Sequence, residues 1–265
     1  MKILAIMILG FWLLAISLGY FLQLEPNLID LNVILNSPNS THLLGTDDLG
    51  RSLISRLLEG AQISLLVACL VTTITMLIGT TIGLYAGFYG GWVDALLMKI
   101  TDIVMAFPGI LLAIAFAAVL GAGLTNLIIA LCITSWVSYA RLTRGQVLSL
   151  RHRQHVQAAA SLGASNTRLM LRHILPLLVS ILVVEATYSI ASVMIAEASL
   201  SFLGLGIQAP NASWGAMLRD AVRYMLVAPH YVLVVGLSLM SLILAINLGG
   251  DYLRDKLDVK GLSND

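Results

Sequence analysis

Charge is what this chain has least of. Asp, Glu, Lys and Arg make up 11% of its 265 residues, against about 25% in an average soluble domain. With 58% apolar residues and a mean hydropathy of +0.92, an ordinary water-soluble domain is excluded. Cysteine is nearly absent. Cys69 and Cys132 both fall inside apolar runs, so neither a disulfide framework nor a metal knuckle can be read from them. There is no G-x-x-x-x-G-K-[ST], so the chain lacks the loop that cradles ATP phosphates. H-E-x-x-H, a nucleophile elbow and an intramembrane aspartate pair at helical spacing are also missing, which argues against a membrane-embedded enzyme. The apolar run from Ile3 to Leu22 is longer than a signal-peptide core of about 7–15 residues and has no small-x-small cleavage site. It reads as a retained membrane helix.

What is present is a series of apolar runs near the roughly 20 residues that cross a bilayer as helix. Lipid offers no partner to backbone polar groups, so these spans are helical and the fold class is all-α integral membrane. Six spans are expected, over about 3–23, 63–88, 97–120, 124–147, 176–202 and 231–250. This divides the chain into 1–62 (first span and a polar segment), 63–251 (a core containing the polar loop 148–176) and a tail, 252–265. An even number of spans puts both termini and that loop on one side. That side holds Lys2, Lys99, Arg141, Arg144, Arg151, Arg153, Arg168, Arg172, Arg254, Lys256 and Lys260, 11 of the 15 cations; Arg51, Arg56, Arg219 and Arg223 remain on the other. The positive-inside rule places the termini and the loop in the cytoplasm.

Within the loop, HVQAAASLGASNTRLMLRHILP (His155 to Pro176) reads as a short helix, Val156–Leu162, a break at Gly163, and a second helix running into Leu175-Pro176. Small Ala158, Ala159 and Ala160 allow a partner to approach closely, and Gly163 lets the backbone reverse. The pattern resembles the cytoplasmic coupling loop of ABC-importer permeases, E-A-A, three residues, G, nine residues, I-x-L-P. Ala158, Ala159, Gly163, Leu175 and Pro176 match, while Gln157 replaces the glutamate and His173 the isoleucine. The resemblance implies that Gln157, Ala158, Ala159, Gly163, Ala164, Leu175 and Pro176 form the contact with an ATPase.

Two further segments lie on the other side. In LLGTDDLGRSLISRLLEG (Leu43 to Gly60), Thr46 or Asp47 caps a helix whose Leu49, Leu53, Ile54 and Leu57 share a face, an amphipathic helix expected at the membrane surface. It resembles the L-G-T-D-x-x-G-R-D-x-x-S-R segment of dipeptide, oligopeptide and nickel permeases, with Ser52 in place of an aspartate. AEASLSFLGLG (Ala196 to Gly206) followed by Pro210 and Trp214-Gly215 is similar to the same family. Asp47, Arg51, Arg56 and Trp214 are candidates for docking a binding protein, with bracing of the entrance as the alternative. Trp214 is also a residue type favoured at the membrane interface.

From residue 42 to 258, including FYGGWVD, TDIVMAFPGILLAIA, YARLTRGQVLSL and NLGGDYLRDKLD, the chain is identified as a member of the peptide/nickel ABC-importer permeases, second or C-type subunit. The resemblance implies a type I importer (MetI-like) permease fold in a bacterial inner membrane. It also implies a second homologous permease, two cytoplasmic ATPases that use ATP and Mg, and an extracytoplasmic solute-binding protein. No cofactor or nucleic acid is expected on this chain. Glu197, Ser199 and Ser201 become candidates for the translocation pathway, with an internal hydrogen bond as the alternative for Glu197. Di- or oligopeptides are the expected solutes and nickel or a nickel chelate the alternative. Trp136 is not followed by the proline of many peptide members, which leans toward nickel. The rival from another class is an ion-coupled carrier using Asp102, Glu185 or Glu197, since ionisable residues within spans are costly to bury. Glu185 and Glu197 are about 18 Å apart along a helix and cannot form one site. No histidine lies mid-span, and no metal site is expected.

Overall fold

The computed structural model describes residues 2–22 and 24–258, and among these the only regular structure is helical. The long elements are α1 (Lys2–Phe21), α2 (Leu53–Tyr89), α3 (Gly91–Met105), α4 (Gly109–Leu120), α5 (Leu124–Leu150), α8 (Leu175–Phe202) and α10 (Pro229–Asp258). Between α5 and α8 lie α6 (Gln154–Ser161), α7 (Asn166–Arg168) and a π-helical turn, Leu169–Ile174; α9 (Trp214–Arg223) precedes α10. By length and composition α2, α5, the continuous helix Asn166–Phe202 and α10 can each cross a membrane. The bent pair α3–α4 is long and apolar enough to add a fifth crossing if it counts as one span, and α1, with a shorter apolar stretch at Ala5–Gly19, falls where the first span is expected. Residues 259–265 of the expected tail, Lys260 among them, lie outside the described residues.

Three expectations need correcting. The run 97–120 is not one rod: α3 and α4 meet at 81°. Pro108 cannot continue a helix through its missing N–H and crowds the residue before it, so the chain turns at Ala106–Pro108. Secondly, there is no separate surface helix before the second span. α2 runs unbroken from Leu53 and, at 37 residues, is about 55 Å long, well beyond a hydrocarbon core of about 30 Å. Its first turns are covered on both sides by protein, so Arg56 and Ser55 are buried along with Leu53 and Leu57. Thirdly, the divisions at 62/63 and 251/252 fall inside α2 and α10, because helical hydrogen bonding continues where hydropathy falls.

The bundle is organised around α2 and α5. Gly79, Gly83 and Gly87 lie one turn apart on α2 and face α5. A Cβ at Gly79 would stand 2.3 Å from the Trp136 carbonyl oxygen, and one at Gly83 2.3 Å from that of Ala140. At Gly87 it would be 2.8 Å from Val147 Cβ. Small residues at this repeat let two backbones touch, which is how helices associate where lipid removes any hydrophobic drive between them. Elsewhere α1 is tied to α10 by Trp12 Nε1, which donates to Ser241 Oγ at 3.0 Å, and α8 to α10 by Tyr188 Oη, which donates to Asp251 at 2.6 Å. Asp94 and Asp102 of α3 pair with Arg144 and Arg141 of α5. Those acids are roughly two turns apart and the arginines less than one, so α3 crosses α5 steeply and delivers α4 into the bundle.

Candidate functional site

The loop between α5 and α8 is anchored by apolar residues and exposes small ones. Val156, Leu169, Met170 and Ile174 are buried in a cluster with Leu84, Val147 and Leu178. Outward, Gln157, Ala158, Ala160 and Ser161 are exposed, and Leu162 is 89% exposed. Ala159 and Ala164 are half-buried. The turn after α6 is closed by backbone: Ala164 N–H donates to the Ala159 carbonyl at 3.1 Å and Gly163 N–H to that of Ala160 at 3.0 Å. These two bonds are the Schellman pair, which requires a left-handed residue after the cap. Gly163 supplies it, with φ +83°. The glycine is therefore needed for a fixed backward turn rather than for flexibility. Ser165 then caps α7, accepting from Arg168 N–H at 3.4 Å.

Beyond the turn, the helix widens to a π turn before Leu175 and Pro176. Pro176 has no N–H for the carbonyl one turn behind it and its ring crowds that carbonyl, which a wider turn relieves. Leu175 joins the buried cluster and Pro176 is exposed. Arg151, at the base of the loop, donates from Nη1 to the carbonyls of Gly87 at 3.0 Å and Phe88 at 3.3 Å. It thus caps the end of α2, a contact that sequence reading did not anticipate.

At the opposite end of the bundle the residues considered for docking are interior. Asp47 is fully buried; its Oδ1 accepts from the N–H groups of Leu49 and Arg51, both at 2.9 Å, and its Oδ2 from Arg51 Nε at 2.7 Å. Arg56 Nε lies 3.3 Å from the same Oδ2, and its Nη1 reaches Asn27 Oδ1 at 3.1 Å and the Pro210 carbonyl at 3.5 Å. Trp214 is fully buried too, donating from Nε1 to the Leu57 carbonyl at 2.9 Å and meeting Trp12 edge-on. The docking and interface readings of these four residues are therefore corrected to bracing: side chains enclosed by their own chain present no face to another protein. Asp47 ties its own turn instead of capping α2, which starts after Ser52. Burial, with Asp47 and Asp220 close by, pushes the Asp48 carboxyl above its usual range. Replacing Asp47 by Ala leaves Arg51 and Arg56 without their shared counter-charge, a loss of about 3–5 kcal/mol for a broken buried pair. The expected outcome is a clear fall in thermal stability of the purified protein. A variant of unchanged stability that no longer answers to a binding protein would restore the docking role.

The pathway candidates separate. Glu197 is fully buried, accepting from Ser64 Oγ at 2.8 Å and Ser201 Oγ at 2.7 Å. Ser201 is buried with it, and Ser199 donates back to the Ile195 carbonyl and borders an apolar groove. None of the three lines a polar cavity; Glu197 is the internal hydrogen-bonding group that was the alternative. Asp102, paired with Arg141, is exposed. The polar cavity lies elsewhere, among α4, α5 and α8. It holds about 300 Å³ and is lined by Gly109, Thr134, Ser135, Ser138, Glu185, Tyr188, Ser189 and Ser192 among others. A signal for it was present in the sequence, in hydroxyl residues at helical spacing on two otherwise apolar helices.

The model of the family described as binding-protein-dependent transport system inner membrane component matches residues 79–259. The chain belongs to that family. This permease is 50% identical over 234 residues to the glutathione transport system permease protein GsiD of Escherichia coli and of Shigella sonnei, covering 88% of this chain and 77% of each relative. Its fold is similar to that of a chain in two inward-facing structures of the MetNI methionine ABC transporter. Their TM-scores are 0.60 and 0.61 at 20% identity, over 75% and 76% of this chain and 95% of each of those chains. The permease is thus an inner-membrane component of a bacterial ABC importer with the MetI-like fold.

Proposed function

We propose that this permease forms a peptide translocation pathway together with a second, homologous permease, and that α6 couples it to two cytoplasmic ATPases. The observation that carries the coupling role is the loop itself, where Leu162, Ala158 and Ala160 stand exposed above a buried apolar anchor. A firmly seated helix with a small-residue outer face suits a partner's cleft. The ATPases would hold ATP and Mg; no cofactor is assigned to this chain. An extracytoplasmic binding protein would deliver the solute, and both termini and the loop would face the cytoplasm, as the excess of Lys and Arg there favours. Binding energy from the ATPases would then shift the membrane subunits between inward- and outward-facing states.

For the solute, the relatives' name supports a peptide-like molecule, since glutathione carries peptide bonds, an ammonium and carboxylates. Nickel remains the second reading, favoured only by the residue after Trp136. The test is uptake by a strain lacking the gene and by its complement, using radiolabelled alanyl-alanine, glutathione and nickel, with and without ATP depletion. Loss of ATP-dependent peptide uptake is expected. Loss of nickel uptake alone would replace the solute, and uptake driven by a proton gradient without ATP would overturn the importer reading.

A further inference from the structure

Within the peptide-importer reading, on which this step rests, the cavity among α4, α5 and α8 has a chemistry of its own. Glu185 lies ten residues into α8, roughly 15 Å from its start, deep among the helices. Its carboxylate is partly buried and makes no hydrogen bond or ion pair with any described residue. The neighbouring acids are all satisfied: Glu197 by serines, Asp94 and Asp102 by arginines. An unpaired carboxylate at this depth is costly unless something cationic or water-bearing meets it.

The opposite wall of the cavity has the opposite polarity. The sharp bend between α3 and α4 opens the first turn of α4 onto the same space, through Gly109 and Ile110. Pro108 at the cap has no N–H and no side chain caps the turn. The free N–H groups and the helix dipole make that end attractive to an anion. Between the two walls stand Thr134, Ser135, Ser138, Ser189 and Ser192, hydroxyls that donate or accept according to need.

We propose that this cavity is a transient site for a zwitterionic peptide in passage, Glu185 meeting its ammonium, the α4 N-terminus its carboxylate, and the hydroxyls its peptide groups. Such a site is indifferent to side chains and discriminates against solutes that lack an ammonium. A transition metal fits it poorly, since no cluster of three His, Cys, Asp or Glu occurs among the described residues and hydroxyls are weak ligands for such ions.

The test uses the full assembly of both permeases, the ATPases and the binding protein in proteoliposomes. Uptake of radiolabelled alanyl-alanine and glutathione is measured alongside ATP hydrolysis. Glu185→Gln is expected to lower uptake of both about tenfold or more, the loss of a hydrogen-bonded charge contact. ATP hydrolysis stimulated by the loaded binding protein should stay at the wild-type level, and Glu185→Asp should restore most of the uptake. Wild-type uptake by Glu185→Gln overturns the proposal. So does a parallel fall of uptake and hydrolysis, which would mark a structural role. A wild-type assembly that imports neither peptide with ATP would instead remove the peptide reading, and the site with it.

Discussion

Gly83→Leu is expected to abolish the folded permease, leaving little protein in the membrane and none that is monodisperse after extraction. The glycine faces α5 so closely that an added Cβ would lie 2.3 Å from the Ala140 carbonyl oxygen and 2.7 Å from Thr143 Cβ. Overpacking among side chains costs about 1–3 kcal/mol when neighbours can shift rotamer. Here the obstructing atom is backbone, and relief requires parting α2 from α5 along their whole contact. Parting them also pulls Gly79 from Trp136 and Gly87 from Val147, and would strain the Arg151 cap on the Gly87 carbonyl. Gly145→Leu, on α5 where a Cβ meets nothing within 4 Å, is the control and should accumulate normally. Size-exclusion profiles of the two variants decide the matter: a Gly83→Leu protein that elutes like the wild type would show that the helices have room to separate.

That contact illustrates why the sequence was only partly legible. Six apolar runs announce helices because hydropathy reports solvent, and lipid leaves no alternative to helix. Hydropathy does not report backbone geometry. Pro108-Gly109, a turn signal in any soluble chain, sits within a run so apolar that averaging hides the 81° bend. The reverse happens at Glu59 and Gln62, where polar residues suggest an end to a helix that in fact continues, because Glu59 finds the Ala212 N–H and Gln62 the Ile16 carbonyl. The glycine repeat at 79, 83 and 87 was readable as a packing signal but not as to its partner, since any of the other helices could have met it.

Sites show the same division. The break at Gly163 was legible to the residue, because a Schellman closure is local and its glycine must sit one place beyond the cap. The brace at Asp47 was legible as a motif but left open between docking and bracing, because burial of Arg56 depends on the loops around Asn27 and Pro210 folding over it. The cavity was missed by attending to acids alone. Glu185 becomes distinctive only when Thr134 and Ser138 of α5 and the opened end of α4 stand opposite it.

Gly163→Pro is expected to abolish ATP-dependent uptake while the permease still inserts and accumulates. Proline fixes φ near −65°, and the native turn needs +83° at this residue. It also deletes the N–H that donates to the Ala160 carbonyl, so both halves of the closure after α6 are lost together. The buried anchors on either side, Val156 before the turn and Leu169 after it, hold the loop's ends to the bundle. The damage is then confined to the course of the chain between them, where Ala158, Ala160 and Leu162 are presented. Gly163→Ala separates geometry from bulk. A Cβ there meets nothing within 4 Å, so only the left-handed backbone is penalised, by about 1–2 kcal/mol, and uptake should fall only modestly. Uptake and stimulated ATP hydrolysis, measured at matched membrane levels, should therefore rank wild type, Ala, then Pro, with Pro near zero in both. Wild-type transport by the proline variant would mean that the α6 turn does not carry the coupling.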